Sequence, residues 1–152
     1  MKLKQFKWLF IGGLTLSSLL SSCGVQDEGD ESRVLAVQGP FIPANRVESH
    51  IRSAGFPSNL VNTMRAIAQC ESSLGAKSYA IGGNGLRHTG LFQISDLHQG
   101  ACGYGSLSRS QFHSKMTAPA LNARCAYVVY RQAGSSLAPW DCYRFGSYAR
   151  YL

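Results

Sequence analysis

SNLVNTMRAIAQCESSLG, residues 58–75, is the stretch on which the fold of this chain turns. Leu60, Met64, Ile67 and Ala68 recur at the period of one helix face, and three residues further on the same face carries Glu71. Ser58 is a good N-cap and Gly75 a helix stop, so the spacing predicts a helix from Ser58 to about Ser73. Glu71 then lies in the last turn on the core side. There the negative end of the helix dipole and partial burial both raise a carboxylate's pKa. An acid held protonated near neutral pH is suited to general acid catalysis. Position alone fits equally well a structural acid paired with a guanidinium such as Arg65 or Arg87.

Working outward, residues 44–54 read as a short helix with Val47 and Ile51 four apart, closed by Gly55 and Pro57. Further upstream the chain opens MKLKQFKWLFIGGLTLSSLLSSC: Lys2, Lys4 and Lys7, then an apolar run from Trp8 to Leu20. The run is about 13 residues, against roughly 20 for a membrane-spanning helix, which is the layout of an export signal. Leu20-Ser21-Ser22-Cys23 resembles the lipobox of bacterial lipoproteins, which implies that Cys23 is acylated and becomes the mature N-terminus. Several acyl chains, at about 0.8 kcal/mol per buried CH₂, make such an attachment stable.

Residues 24–44 are acidic (Asp27, Glu28, Asp30, Glu31), broken by prolines and without sustained period, and read as a flexible tether. Gly24 stands where many inner-membrane lipoproteins of enterobacteria carry Asp, so in a Gram-negative host the expected location is the outer membrane, facing the periplasm. In any other host it is an extracytoplasmic membrane surface. The expected organisation is a signal peptide over 1–22, a lipidated tether over 23–44 and one domain over 45–152.

That last part holds eleven Lys/Arg and four acids, Glu48, Glu71, Asp96 and Asp141. A basic surface suits an acidic polymer. Outside the cytoplasm, the peptidoglycan wall or an anionic lipid surface is such a partner. Dispersed basic residues without a binding motif argue against nucleic acid. Apart from Cys23 the cysteines number four, Cys70, Cys102, Cys125 and Cys142. An even count in a small exported domain argues for two disulfides, and no C-x₂-C or paired-His spacing supports a metal. No cofactor is expected.

Downstream of Glu71-Ser72 come a Gly82-Gly83-Asn84-Gly85 loop and Gly90-Leu91-Phe92-Gln93-Ile94. A helix follows whose cap and face read Thr117, Ala118-Pro119, Leu121, Cys125, Val128 and Val129, ending at Gly134, and then Pro139-Trp140. The ordered set E-S, G-L-F-Q-I, an L-N-x-x-C-A helix and P-W resembles the lysozyme and lytic transglycosylase superfamily, over about Arg46 to Trp140.

The resemblance implies a mainly α (α+β) lysozyme-like domain with a short irregular hairpin near Tyr79 to Ile94 as one wall of a cleft. It implies that Glu71 protonates the glycosidic oxygen between N-acetylmuramic acid and N-acetylglucosamine. An acid shielded by an apolar pocket against a Trp is known from a lysozyme, and Trp140 is the candidate neighbour, with a plain core Trp equally open. Ser72 and Gln93 match positions near the family's cleft. Tyr148, or Tyr143, matches a tyrosine beside the acid, though residues at this helical spacing are more often core. The family's pattern also implies a Cys102–Cys125 disulfide and, with it, Cys70–Cys142.

The chain departs from the pattern at one point. Two-acid glycosidases need a second carboxylate across the scissile bond, and animal-type lysozymes carry an Asp where this chain has His88, followed by Thr89. Glu48, Asp96 and Asp141 match no family position. A lytic transglycosylase needs one Glu, which serves as acid and then as base on the substrate's own C6 hydroxyl, giving a 1,6-anhydro product. That activity is the expectation. A hydrolytic lysozyme, a non-catalytic wall-binding lipoprotein and a component of an envelope or secretion complex are the rival readings.

Overall fold

The computed structural model describes residues 34–36 and 41–152. The export signal, Cys23 and most of the acidic segment lie outside the described residues. Five α-helices, α1 (Ala44–Ala54), α2 (Val61–Ser72), α3 (Arg109–Met116), α4 (Pro119–Gln132) and α5 (Asp141–Arg144), surround one core. A small antiparallel sheet stands beside them, with β1 (Val34–Ala36), β2 (Tyr79–Ile81), β3 (Arg87–Thr89) and β4 (Ile94–Ser95) in that order. The domain is therefore mainly α with a short β lobe, as the motifs implied.

The apolar periods explain the packing. Val47 and Ile51 of α1, Met64, Ile67 and Ala68 of α2, and Ala123, Ala126 and Val129 of α4 are all buried in one cluster. Phe56, just past the end of α1, sets its ring edge-on to Tyr127 at 5.2 Å and tilted to Tyr130 at 5.3 Å. That contact fastens the α1–α2 turn to α4. Two disulfides staple the ends: Cys70 in α2 to Cys142 in α5, and Cys102 to Cys125 in α4.

Four local expectations need correction. The segment read as a tether contributes β1, whose residues Val34 to Ala36 pair with Ile81 to Tyr79, and Phe41 bridges Gly75. Strand pairing has supplied order at these three residues that the segment's own composition does not encode. Ser58 is not a side-chain cap: residues 58–60 form a 3-10 turn led by Pro57, and α2 proper starts at Val61. Thr117 caps nothing at the start of α4, since its hydroxyl donates back to the Ser114 carbonyl at 2.7 Å. It closes α3, a helix the apolar period did not reveal, which opens on a reciprocal Ser108–Gln111 capping box.

Gly75 does not end α2 either. Ser73 and Leu74 do so by turning left-handed, with φ of 53° and 60°. Gly75 is needed for closeness: a Cβ there would lie 2.2 Å from the Ser78 hydroxyl, which donates to the carbonyl of Ser72 at 3.1 Å. Gly90 is constrained twice over. It is left-handed, φ 81°, and a Cβ would lie 2.3 Å from the Met116 carbonyl oxygen and 2.4 Å from the Asn122 amide.

Asn122, fully buried on α4, braces this turn. Its Nδ2 donates to the carbonyls of Thr89 (2.8 Å) and Met116 (3.0 Å), and its Oδ1 accepts from the Phe92 N–H at 2.9 Å. Asn122→Ala would leave three buried backbone groups unsatisfied, each costing about 1–3 kcal/mol. We expect Asn122→Ala to lower stability by about 3 kcal/mol, read in a thermal melt as a fall of roughly 12–24 °C for a domain of this size. A melt within a few degrees of the parent would remove Asn122 from its place as the brace.

Candidate functional site

The last turn of α2, the turn over residues 90–95 and the segment entering α5 converge on a small cleft of about 80 Å³. Its lining includes Glu71, His88, Gln93, His98, Trp140 and Asp141. The volume equals that of a few water molecules at about 30 Å³ each, so it admits a substituent of a polymer lying across its mouth. A second cavity of about 320 Å³ between α4 and the Cys102 loop is larger. Arg124 is the one charged group in its lining, and with no acid or base there it offers no comparable chemistry.

Glu71 is 5 % exposed, at the end of a helix and against the cleft. Its Oε1 accepts the backbone N–H of Cys142 at 3.1 Å, so the N-terminal turn of α5 is docked onto it. Arg65, one guanidinium weighed as its structural partner, lies 3.6 Å from Glu48 and donates to the Tyr151 carbonyl at 2.8 Å. Arg87 covers the ring of Tyr79.

Trp140 is buried in the cleft wall, with its Nε1–H on the Phe92 carbonyl at 3.1 Å and its ring edge-on to Phe92. It is both core and wall. Gln93, at a left-handed φ of 46°, donates through Nε2 to the carbonyls of Gly90 (2.9 Å) and Ser78 (3.2 Å). Its Oε1 is buried and accepts no hydrogen bond among the described residues. The amide is thus anchored through its nitrogen, with the side chain in the cleft wall.

Ser72 is placed differently. It is fully buried, and its hydroxyl faces the carbonyls of Ala68 and Leu91, both at 2.9 Å. It ties α2 to the 90–92 turn from behind and does not line the cleft. Tyr148 stacks on Tyr143 at 5.2 Å beyond α5 and also stays outside the cleft lining.

The remaining acids separate clearly. The side chain of Asp96, 7 % exposed, packs against His113 of α3, whose other ring nitrogen meets the Thr89 hydroxyl at 2.8 Å. This Thr89–His113–Asp96 chain joins β3 to α3 behind the cleft. Asp141 lines the cleft rim, but its side chain is 49 % exposed and 3.2 Å from Arg144. His88, the residue standing where animal-type lysozymes carry an Asp, lines the cleft with its Nδ1 3.3 Å from the Gln93 carbonyl, and beside it lies His98, which the sequence reading did not single out. The signal available in sequence for His98 was only its nearness to the Gln93 motif.

Residues 48–142 match the family described as Lysozyme like domain. The chain therefore belongs to the lysozyme-like domain family, a family of glycan-cleaving enzymes. Comparison with curated proteins and with solved structures returned no match.

Two imidazoles, that of buried His113 and that of half-buried His98, give the domain a pH dependence of known sign. Burial, foremost, lowers the pKa of His113 below 6.5, with Arg87 and Arg109 adding to it and Asp96 opposing. Burial and then the neighbouring His88 lower that of His98. Below 6.5 the unfolded chain binds protons that the folded one resists. The stabilisation is complete above that pH and is lost as pH falls through the lowered folded values. Melting temperature is expected to drop between pH 6.5 and 5, and His113→Gln to flatten that slope. An unchanged slope in the variant would exclude His113 as a source.

Proposed function

We propose that the domain is a peptidoglycan lytic transglycosylase in which Glu71 is the catalytic acid and base. The observation that carries the reading is that Glu71 is the one buried carboxylate lining the cleft among the described residues. Glu71 gives its proton to the oxygen of the bond between N-acetylmuramic acid and N-acetylglucosamine as the C1–O4 bond breaks, with the acetamido group assisting. The carboxylate then takes the C6 hydroxyl proton as O6 closes on C1. The product is a 1,6-anhydro end, no water is consumed, and Glu71 is restored to its acid form. A proton donor and acceptor placed in this way contributes about 10²–10⁴-fold.

Gln93 Oε1, buried and unpaired at the cleft, suits an N–H donor such as the sugar's acetamido group. Trp140 supplies the apolar wall beside the acid. The basic surface suits the carboxylates of the wall's stem peptides. No cofactor enters the reaction.

A hydrolytic lysozyme is the second reading, supported by Asp141 at the rim of the same cleft. Digestion of purified peptidoglycan followed by mass spectrometry separates the two, since anhydro ends are lighter by one water than hydrolysed ones. We expect anhydro products from the wild type, a fall of about 10²–10⁴-fold for Glu71→Gln, and activity retained in Asp141→Asn. Reducing ends that disappear with Asp141→Asn would establish hydrolysis. A wild type that binds wall material without cutting it would favour a binding role.

The lipobox-like leader supports anchoring through Cys23 at the outer membrane, or at the outer face of the cytoplasmic membrane in a host without one. Among the described residues no helix is long and apolar enough to cross a membrane. Cys23→Ser is expected to move the protein from the membrane to the soluble fraction. Continued membrane association of that variant would refute the anchor.

A further inference from the structure

The Cys70–Cys142 disulfide is built around the carboxylate rather than merely near it. Cys70 immediately precedes Glu71 on α2, and Cys142 supplies the N–H that Glu71 Oε1 accepts. One covalent bond and one hydrogen bond therefore connect the same two points, across 6.1 Å between the cysteine Cα atoms. We propose that this disulfide holds the Cys142 N–H on Glu71, which makes Cys70 and Cys142 positioning residues for the acid. The proposal rests on reading Glu71 as the catalytic group.

The reason lies in α5. It has four residues and no buried side chain, so apolar packing does little to hold it. One hydrogen bond contributes only modestly against the freedom of the chain, and a single turn of helix is unstable by itself. Trp140, buried just ahead of α5, fixes the entry to the helix through the Phe92 carbonyl but leaves the direction of the Cys142 N–H to whatever restrains the next turn. The link from Cys70 provides that restraint at the position of the donor. Without it the Cys142 N–H is free to move off the carboxylate, and the contact that orients that side of Glu71 is lost. A misplacement of about 1 Å at a reacting group costs on the order of 10²-fold in rate. The Cys102–Cys125 bond joins α4 to the loop after His98 and holds neither Glu71 nor the Cys142 N–H, so it is the control.

The test compares the full-length wild type with Cys70→Ser/Cys142→Ser and Cys102→Ser/Cys125→Ser, all below their melting temperatures. Two quantities are read: kcat and KM on purified peptidoglycan, and the NMR signal and hydrogen exchange of the residue 142 amide as pH is varied. In the wild type and the control the amide should follow the titration of Glu71 and exchange slowly. In Cys70→Ser/Cys142→Ser it should exchange about tenfold faster or more and lose that pH response. The kcat of this variant should fall about tenfold or more with little change in KM. A Cys70→Ser/Cys142→Ser protein that keeps both the amide response and kcat overturns the proposal and leaves Trp140 as sufficient. Because the amide readout needs no turnover, a wild type without activity would refute the catalytic reading while the positioning claim is still decided.

Should Cys70→Ser/Cys142→Ser fail to fold, the control protein serves. A dithiol reduces its Cys70–Cys142 bond to two thiols and is itself oxidised to a cyclic disulfide. The amide response and kcat must fall together on reduction and return on reoxidation. An unchanged amide and kcat in the reduced form would overturn the proposal.

Discussion

Five residues, 89–93, are the point through which the rest of this domain is joined. Asn122 of α4 takes the Thr89 carbonyl and the Phe92 N–H. The Ser72 hydroxyl reaches the Leu91 carbonyl from α2, and the Trp140 indole reaches the Phe92 carbonyl from the entry to α5. Buried backbone groups must find partners, and here three separate elements supply them to one turn. The position of the candidate acid relative to the sheet lobe is therefore set by hydrogen bonds to main chain, with the apolar core behind them providing the driving force.

The same economy shows in the side chains that carry no proposed chemistry. Ser72, read in sequence as a cleft residue, is a tie behind the cleft; Asp96, weighed as a second acid, is committed to His113, whose other ring nitrogen meets Thr89. Both lie within a residue or two of groups that do face the cleft. In a domain of this size the line between site and support runs between adjacent residues.

That fineness is why the sequence was legible in some places and opaque in others. Val47 and Ile51, and then Met64, Ile67, Ala68 and Glu71, announced α1 and the buried face of α2, because a helical face repeats and every repeat adds to the signal. The ordered motifs around Gln93 and Trp140 pointed to one cleft. Helix α3 has only Phe112, His113 and Met116 buried, and its clearest mark was the Ser108-x-x-Gln111 box at its start. Strand β1 was hidden for another reason: three residues gain their structure from pairing with β2, a partner more than forty positions away. The direction in which Ser72 or Asp96 points is likewise decided by distant main chain, and no local pattern encodes it.

The early strand has a mechanical consequence. With the lipid anchor proposed at Cys23, the leash to the start of β1 at Val34 is eleven residue steps long. At about 3.3–3.6 Å per residue, even a fully drawn chain spans roughly 40 Å. The cleft would work only in the layer of wall closest to its own membrane, and lengthening that leash would widen its working radius without touching a single residue of the fold.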